Sequence, residues 1–295
     1  MYGSQPNYRV SIFIRAVLEF VAFLIVTVYS LFRILGYPER KRTLIRFALI
    51  AAAGWCVEET CILSYGFHSY STNWRLSIFN VPILIMLVWP AVIQSAWDLA
   101  SQLAARKIKL VPVIAAGIVW TDACLIEPVA VNAGLWHWNR PGIYHVPLIG
   151  LFGWACFAYL CVRVLSLKDR KAVSGAVVRG LMVFPVLGVH LMLLCTWWAV
   201  FKWMDTPLDP IVVAATAWII SIGLSVVIFR SDLAFRIEKK TLLSRIPATL
   251  FIFGLLAVSA DSDRYLLIYA VAFLLPYLTV MTKQYGSTKG TLGKN

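Results

Sequence analysis

Residues 122–138 read DACLIEPVAVNAGLWHW and residues 54–70 read GWCVEETCILSYGFHSY; laid over one another they are a single pattern written twice. Glu59 lies seven residues before Gly66, and Glu127 seven before Gly134; four positions past each glycine stands an aromatic, Tyr70 and Trp138. Farther on come Val81-Pro82 and Val146-Pro147, followed eight residues past each valine by Trp89 and Trp154, and only the connecting loop differs, by three residues. A duplicated unit that twice sets a carboxylate inside an apolar span is costly unless the acid is used, which points to a site where the copies meet.

Working outward, the whole chain has the character of these two segments. It is 60% hydrophobic and only 14% charged over 295 residues, whereas soluble domains carry about 25% charge. Apolar runs long enough to cross a hydrocarbon core of roughly 30 Å recur from end to end. The expectation is an all-α polytopic membrane helical bundle with about eight to nine transmembrane helices: 10–32, 47–65, 78–97, 110–131, 146–166, 177–201, 210–229, a short 246–260, and 265–281. Residues 1–295 form one integral membrane domain, with repeat copy one at about 54–89, copy two at about 122–154, and 282–295 as a cytoplasmic tail. The N-terminal Met1–Pro6 has no basic region ahead of a cleavable segment, so the first span is read as retained.

Most of the 27 basic residues fall on one side of a nine-span arrangement: Arg33, Arg40, Lys41, Arg42 and Arg46; Arg106, Lys107 and Lys109; then groups in 163–179, 230–245 and the tail. That side is the cytoplasmic one, which puts the N-terminus outside and the C-terminus inside. The net charge of +13 is therefore topological and argues against a nucleic-acid partner. All six cysteines fall within spans and read as small buried hydrophobes.

In this topology both copies run the same way, giving an internal parallel repeat (spans 2–3 and 4–5) with Glu58, Glu59, Asp122 and Glu127 in the outer leaflet. Each acid is either a proton donor, its charge disfavoured in a dry span, or a hydrogen bonder between helices. Glu58 points about 100° away from Glu59 around a helix, so the two do not share a face. Asp98, Arg106, Asp205, Asp209, Asp261 and Asp263 read as solvated boundary charges, and His190 as a proton relay or a partner of a neighbouring carbonyl. The four histidines show no metal-ligand spacing, and no phosphate loop or nucleophile elbow is present.

Glu127-Pro128-Val129-Ala130-Val131, Gly134-Leu135-Trp136-His137-Trp138, Tyr144-His145-Val146-Pro147 and Gly153-Trp154 together resemble the CruF-type membrane carotenoid hydratases, as do Glu59, Gly66-Phe67-His68-Ser69-Tyr70 and Phe79-Asn80-Val81-Pro82 through Trp89 in copy one. The resemblance spans roughly residues 54–160. It implies a cofactor-independent enzyme that adds water to the terminal (1,2) double bond of an acyclic carotenoid end group. The implied ligands are a carotenoid and water, the setting membrane lipid in a bacterial inner membrane, with other carotenoid enzymes as neighbours.

Such a hydration needs an acid for one alkene carbon, tolerance for a tertiary cation, and a held water. Asp122 or Glu59 is expected as proton donor and Glu127 as the group positioning water, with Glu58 orienting its neighbour. Trp55, Tyr70, Trp89, Trp136, Trp138 and Trp154 offer faces to the cation, each worth roughly 0.5–2 kcal/mol when desolvated. His68, His137 and Asn139 stand at the wet edge. Two alternatives remain open. A membrane lycopene or carotenoid cyclase begins with the same protonation, although the Val-Pro sites here run into Ile83-Leu84 and Leu148-Ile149 rather than carboxylates; a non-enzymatic lipid or small-molecule transporter would use repeats and buried acids equally well.

Overall fold

The structure, a computed structural model, describes residues 12–36, 39–105, 107–169, 174–259 and 264–292. Met1–Pro6, Arg106, Asp261 and Asp263 lie outside the described residues. Nine helical segments among the described residues are long and apolar enough to span a membrane. They are built from α1 (Ile12–Gly36), α2 (Arg40–Tyr65), α3 (Ile83–Ala104), α4 (Val111–Asn132), α5 (Leu148–Asp169), α6 (Gly175–Leu181) with α7 (Val183–Ala199), α8 (Pro210–Arg230), then, after the short α9 (Leu233–Arg236), α10 (Lys239–Leu243) with α11 (Ile246–Val258), and α12 (Arg264–Ala272) with α13 (Leu275–Leu292). The bundle is all-α apart from short strands in the loops.

Two differences from the sequence reading have clear causes. The eighth span begins earlier than expected, at Lys239, because α10 and α11 stack end to end across Ser244-Arg245. The supposed tail continues α13 as helix to Leu292, and Lys283 Nζ ties it down by donating to the carbonyls of Phe229 (2.7 Å) and Ser231.

The central core joins α2, α3, α4, α5 and α7 around Ile50, Ile93, Val119 and Phe157, and a second cluster joins α4, α8, α11 and α12 around Val129, Leu255 and Leu266. Phe20, Leu63, Ile219 and Phe229 are exposed, the outward apolar face expected where lipid is the solvent. The cysteines are unpaired; Cys156 and Cys161 are buried as expected, but Cys56, Cys61 and Cys124 are only half-buried and Cys195 is exposed. The boundary acids are not simply solvated. Asp98 is ion-paired with Arg33 and accepts from Gln94 (2.9 Å), Asp205 accepts from Arg140 (3.0 Å), and Asp209 caps α8 by accepting from Ile211 and Val212 N–H.

The repeat glycines do the same job twice. Gly66 (φ +59°) and Gly134 (φ +69°) take the left-handed conformation that ends α2 and α4, a conformation glycine adopts without a Cβ penalty. The chain then turns into β1 (His68–Tyr70) and β4 (Trp136–Trp138), which pair antiparallel with His68 opposite Trp138, Ser69 opposite His137 and Tyr70 opposite Trp136. Equivalent segments paired about their own midpoint are what a local two-fold axis through Ser69 and His137 produces. After each strand comes a tight turn, Phe79-Asn80 between β2 (Ser77–Ile78) and β3 (Val81–Pro82), and Tyr144-His145 between the bridged Ile143 and Val146. Each turn feeds the next helix. Arg15 of α1 fastens the ribbon from the side, donating to Ser71 Oγ and to Gly134 O (3.0 Å).

Candidate functional site

Strand alternation decides which ribbon residues reach the interior. His68, Tyr70, Trp136 and Trp138 turn to one face and line a cavity of about 280 Å³ enclosed by α2, α3, α5 and α7. Ser69 and His137 turn the other way and contact each other (3.0 Å), so His137 is not in the cavity. Asn139 is spent on structure, donating to Gly66 O (2.8 Å) and Phe67 O (2.6 Å).

Two carboxylates face this cavity, Glu58 and Glu127. Glu127 is 3% exposed and receives three indole N–H bonds, from Trp136 (2.7 Å), Trp138 (2.9 Å) and Trp154 (2.8 Å). Glu58 is met by the same three repeat positions: His68 Nε2 at 3.0 Å, Trp89 Nε1 donating at 3.2 Å, and the Tyr70 hydroxyl. Burial and the nearby Glu58 and Glu127 charges push the Tyr70 phenol well above the ordinary tyrosine range, so it stays a proton-bearing donor. The centres differ in one chemical respect. Around Glu58 two of the partners, His68 and Tyr70, carry exchangeable protons on titratable groups; around Glu127 all three are indoles, which only donate.

Aromatic faces close the space between the acids. The rings of Trp89 and Trp154 lie 4.6 Å apart between centroids, and His68 and Trp138 4.7 Å apart. Gly54 and Gly150 let these rings approach, since a Cβ would meet Trp89 Cδ1 at 2.7 Å from the first and Trp138 Cη2 at 2.6 Å from the second. Apolar side chains of α5 and α7, including Phe157, Leu193 and Trp197, form much of the remaining wall, with Val57, Cys61 and Tyr65 of α2.

Of the acids expected as proton donor, neither Glu59 nor Asp122 lines this cavity. Glu59 is buried on the other side of α2, where it accepts from Asn80 N (3.0 Å) and Asn80 Nδ2 (2.6 Å) and holds the β2–β3 turn. Asp122 accepts from Arg245, which also donates to Ser95 Oγ (2.9 Å). Trp55 donates to Ile78 O (3.2 Å) and packs on Phe79, outside the cavity. His190 does not line the cavity itself; it bonds two hydroxyls, Thr60 (2.8 Å) and Tyr65 (2.9 Å), of which Tyr65 is part of the cavity wall. Tyr70, Trp89, Trp136, Trp138, Trp154 and His68 all line it.

Sequence reasoning missed Arg245 and Tyr29, which line a second cavity of about 230 Å³ between α1, α3, α4 and α11. Arg245 had been grouped with the cytoplasmic basic residues, and only its pairing with Asp122 across 123 positions reveals it. The two cavities share the wall formed by Tyr70, Trp89, Glu127, Trp136 and Trp154.

A family model described as carotenoid biosynthesis protein matches residues 14–221, which include both repeat copies and every residue around the two acids. No curated protein matches the chain. No solved structure matches it.

Proposed function

The chain belongs to the carotenoid biosynthesis protein family, and from that premise we propose that it hydrates the terminal (1,2) double bond of an acyclic carotenoid end group in the first cavity. The observation that carries this reading is the pair of acids in one apolar, tryptophan-lined space, each held from the same three repeat positions but with proton-bearing partners only at Glu58.

Glu58 delivers a proton to C2, and the π electrons form the new C–H bond and leave a tertiary cation at C1. Glu127, fixed by three donors, and the faces of Trp89, Trp138 and Trp154 stabilise that positive charge. Water attacks C1 to form the C–O bond, and its surplus proton returns to Glu58, directly or through His68 Nε2. The proton count closes, and a tertiary alcohol leaves. Glu58 thus takes the donor role that the sequence alone suggested for Asp122 or Glu59. No cofactor enters this scheme.

The proposed setting is a bacterial inner membrane, and the loop charges favour an orientation with the repeat ribbon at the non-cytoplasmic side. The substrate reaches the cavity from lipid, and other carotenoid enzymes supply it. The test is expression in a lycopene-producing bacterium with chromatographic separation and mass analysis of the pigment. A product heavier by one water supports hydration, an isomer of unchanged mass supports cyclisation, and unaltered lycopene contradicts both.

A further inference from the structure

Tyr65 belongs to the wall of the first cavity, but the hydration scheme gives it no part. Its hydroxyl meets His190 Nδ1 at 2.9 Å, and the other ring nitrogen, Nε2, meets Thr60 Oγ1 at 2.8 Å. The directions of these two bonds follow from Thr60. A hydroxyl carries one proton, and that of Thr60 is directed back to the α2 carbonyl oxygens of Cys56 and Val57 (3.2 Å). Thr60 therefore accepts from His190, which fixes the imidazole as its Nε2–H tautomer and leaves Nδ1 as an acceptor. Tyr65 then donates its one hydroxyl proton to Nδ1, and its oxygen keeps lone pairs that can accept a bond from the cavity.

Glu58, Cys61 and Tyr65 line the cavity at i, i+3 and i+7, one face of α2, with Glu58 and Tyr65 about 10 Å apart along the helix axis. A row running from the acid to C2, across to C1, then to an attacking water and its hydrogen-bond acceptor has three contacts of roughly 3 Å and one bond of about 1.5 Å, which is the same length. Tyr65 also stands beside the polar mouth. Its ring stacks on Phe67 (5.7 Å), and Phe67 and Trp197 both lie under Arg140, which is ion-paired with Asp205 (3.0 Å). We propose that Tyr65 is a further catalytic residue, its phenol oxygen accepting one O–H of the attacking water and aiming the water at C1, with His190 as the positioning residue that holds Tyr65 in that role. This rests on the hydration reading and adds the place of the water to it. The water's lone pair forms the C–O bond to C1, and its second O–H supplies the proton that returns to Glu58. Tyr65 and His190 end the cycle in the protonation states in which they began.

The cation has another fate, loss of a proton from C2, and that supplies the readout. In deuterium oxide Glu58 delivers deuterium, so a cation that reverts yields lycopene heavier by one mass unit, whereas a captured cation yields the alcohol. Purified full-length protein in lycopene-loaded proteoliposomes is incubated in deuterium oxide, and both pigments are separated and weighed. Tyr65→Phe, which keeps the ring and loses the oxygen, should lower alcohol formation by about tenfold, one hydrogen bond's worth, while deuterium still enters the recovered lycopene. His190→Leu should behave alike, and His190→Gln, whose amide can accept from Tyr65 and donate to Thr60, should recover most of the alcohol. Should Tyr65→Phe fail to fold, the two His190 variants decide. Alcohol at the wild-type rate from Tyr65→Phe or His190→Leu, loss of deuterium entry together with alcohol in either folded variant, or no recovery in His190→Gln overturns the inference. Absence of alcohol from the wild type overturns the hydration reading itself, and the inference with it.

Discussion

Trp89 and Trp154 stand at equivalent positions of the two repeat copies, and their rings meet with centroids 4.6 Å apart while their indole N–H groups turn to different carboxylates, Glu58 at 3.2 Å and Glu127 at 2.8 Å. The repeat thereby produces one cavity with two acids, rather than two separate sites. Since the acids differ only in the protons their partners carry, their substitution should separate two functions.

On the proposed mechanism Glu58→Gln removes the proton donor and should lower hydration by about 10²–10⁴-fold, the usual contribution of a general acid. Membrane insertion stays normal. His68→Gln, which keeps a donor for Glu58 but no titratable group, should slow turnover and shift its pH profile while leaving apparent substrate affinity intact. Pigment yield against protein level in the membrane checks both.

Trp154→Phe keeps the ring but takes one of three donors from Glu127. Electrostatic stabilisation of the cation weakens, and turnover should fall by roughly tenfold or more with thermal stability lowered by about 1–3 kcal/mol. Trp89→Phe tests the same change at Glu58.

Gly54→Ala should drive Trp89 off its seat, because the added methyl lies 2.7 Å from the indole ring. Activity and melting temperature both fall. Gly117→Ala, where a Cβ meets nothing within 4 Å, should change neither, and thermal unfolding in detergent distinguishes the two.

Asp122→Asn leaves Arg245 buried without its counter-charge and should destabilise the protein by about 3–5 kcal/mol. Arg245→Met in the same chain should recover much of that loss. Glu59→Gln should cost only the Asn80 bonds and leave hydration within a few-fold of wild type. A specific loss of turnover in a stable Glu59→Gln protein would return that residue to the mechanism.

The Tyr70 phenol titrates higher in the folded chain than in the unfolded one. Its contribution to stability is therefore complete below the unfolded value of about 10 and is lost as pH rises beyond it. Tyr70→Phe should flatten part of the alkaline decline in melting temperature without altering the neutral region, a comparison that pH-dependent unfolding makes directly.

The spans were legible because lipid demands long apolar helices, and the ribbon aromatics because the repeat fixes their offsets from Gly66 and Gly134. The acid of copy one was not. Counting back from the glycines pairs Glu59 with Glu127, but α2 runs unbroken to Tyr65 while α4 stops at Asn132 and leaves Ala133 between helix and glycine. Aligned on those helix ends Glu127 pairs with Thr60, so the ends do not account for Glu58 rather than Glu59 facing the cavity. His137 was misjudged because the alternation of a three-residue strand is too short to read from sequence. Arg245 was hidden for another reason: its partners Ser95 and Asp122 lie on other helices, and hydropathy holds no information about such pairing.

The most direct measurement is the mass of pigment formed when purified protein in lycopene-loaded proteoliposomes is incubated in heavy-oxygen water. The account predicts a tertiary alcohol carrying one heavy oxygen from the wild-type chain and unchanged lycopene from Glu58→Gln. Labelled alcohol at the wild-type rate from Glu58→Gln, or an unlabelled isomer from the wild type, would contradict it.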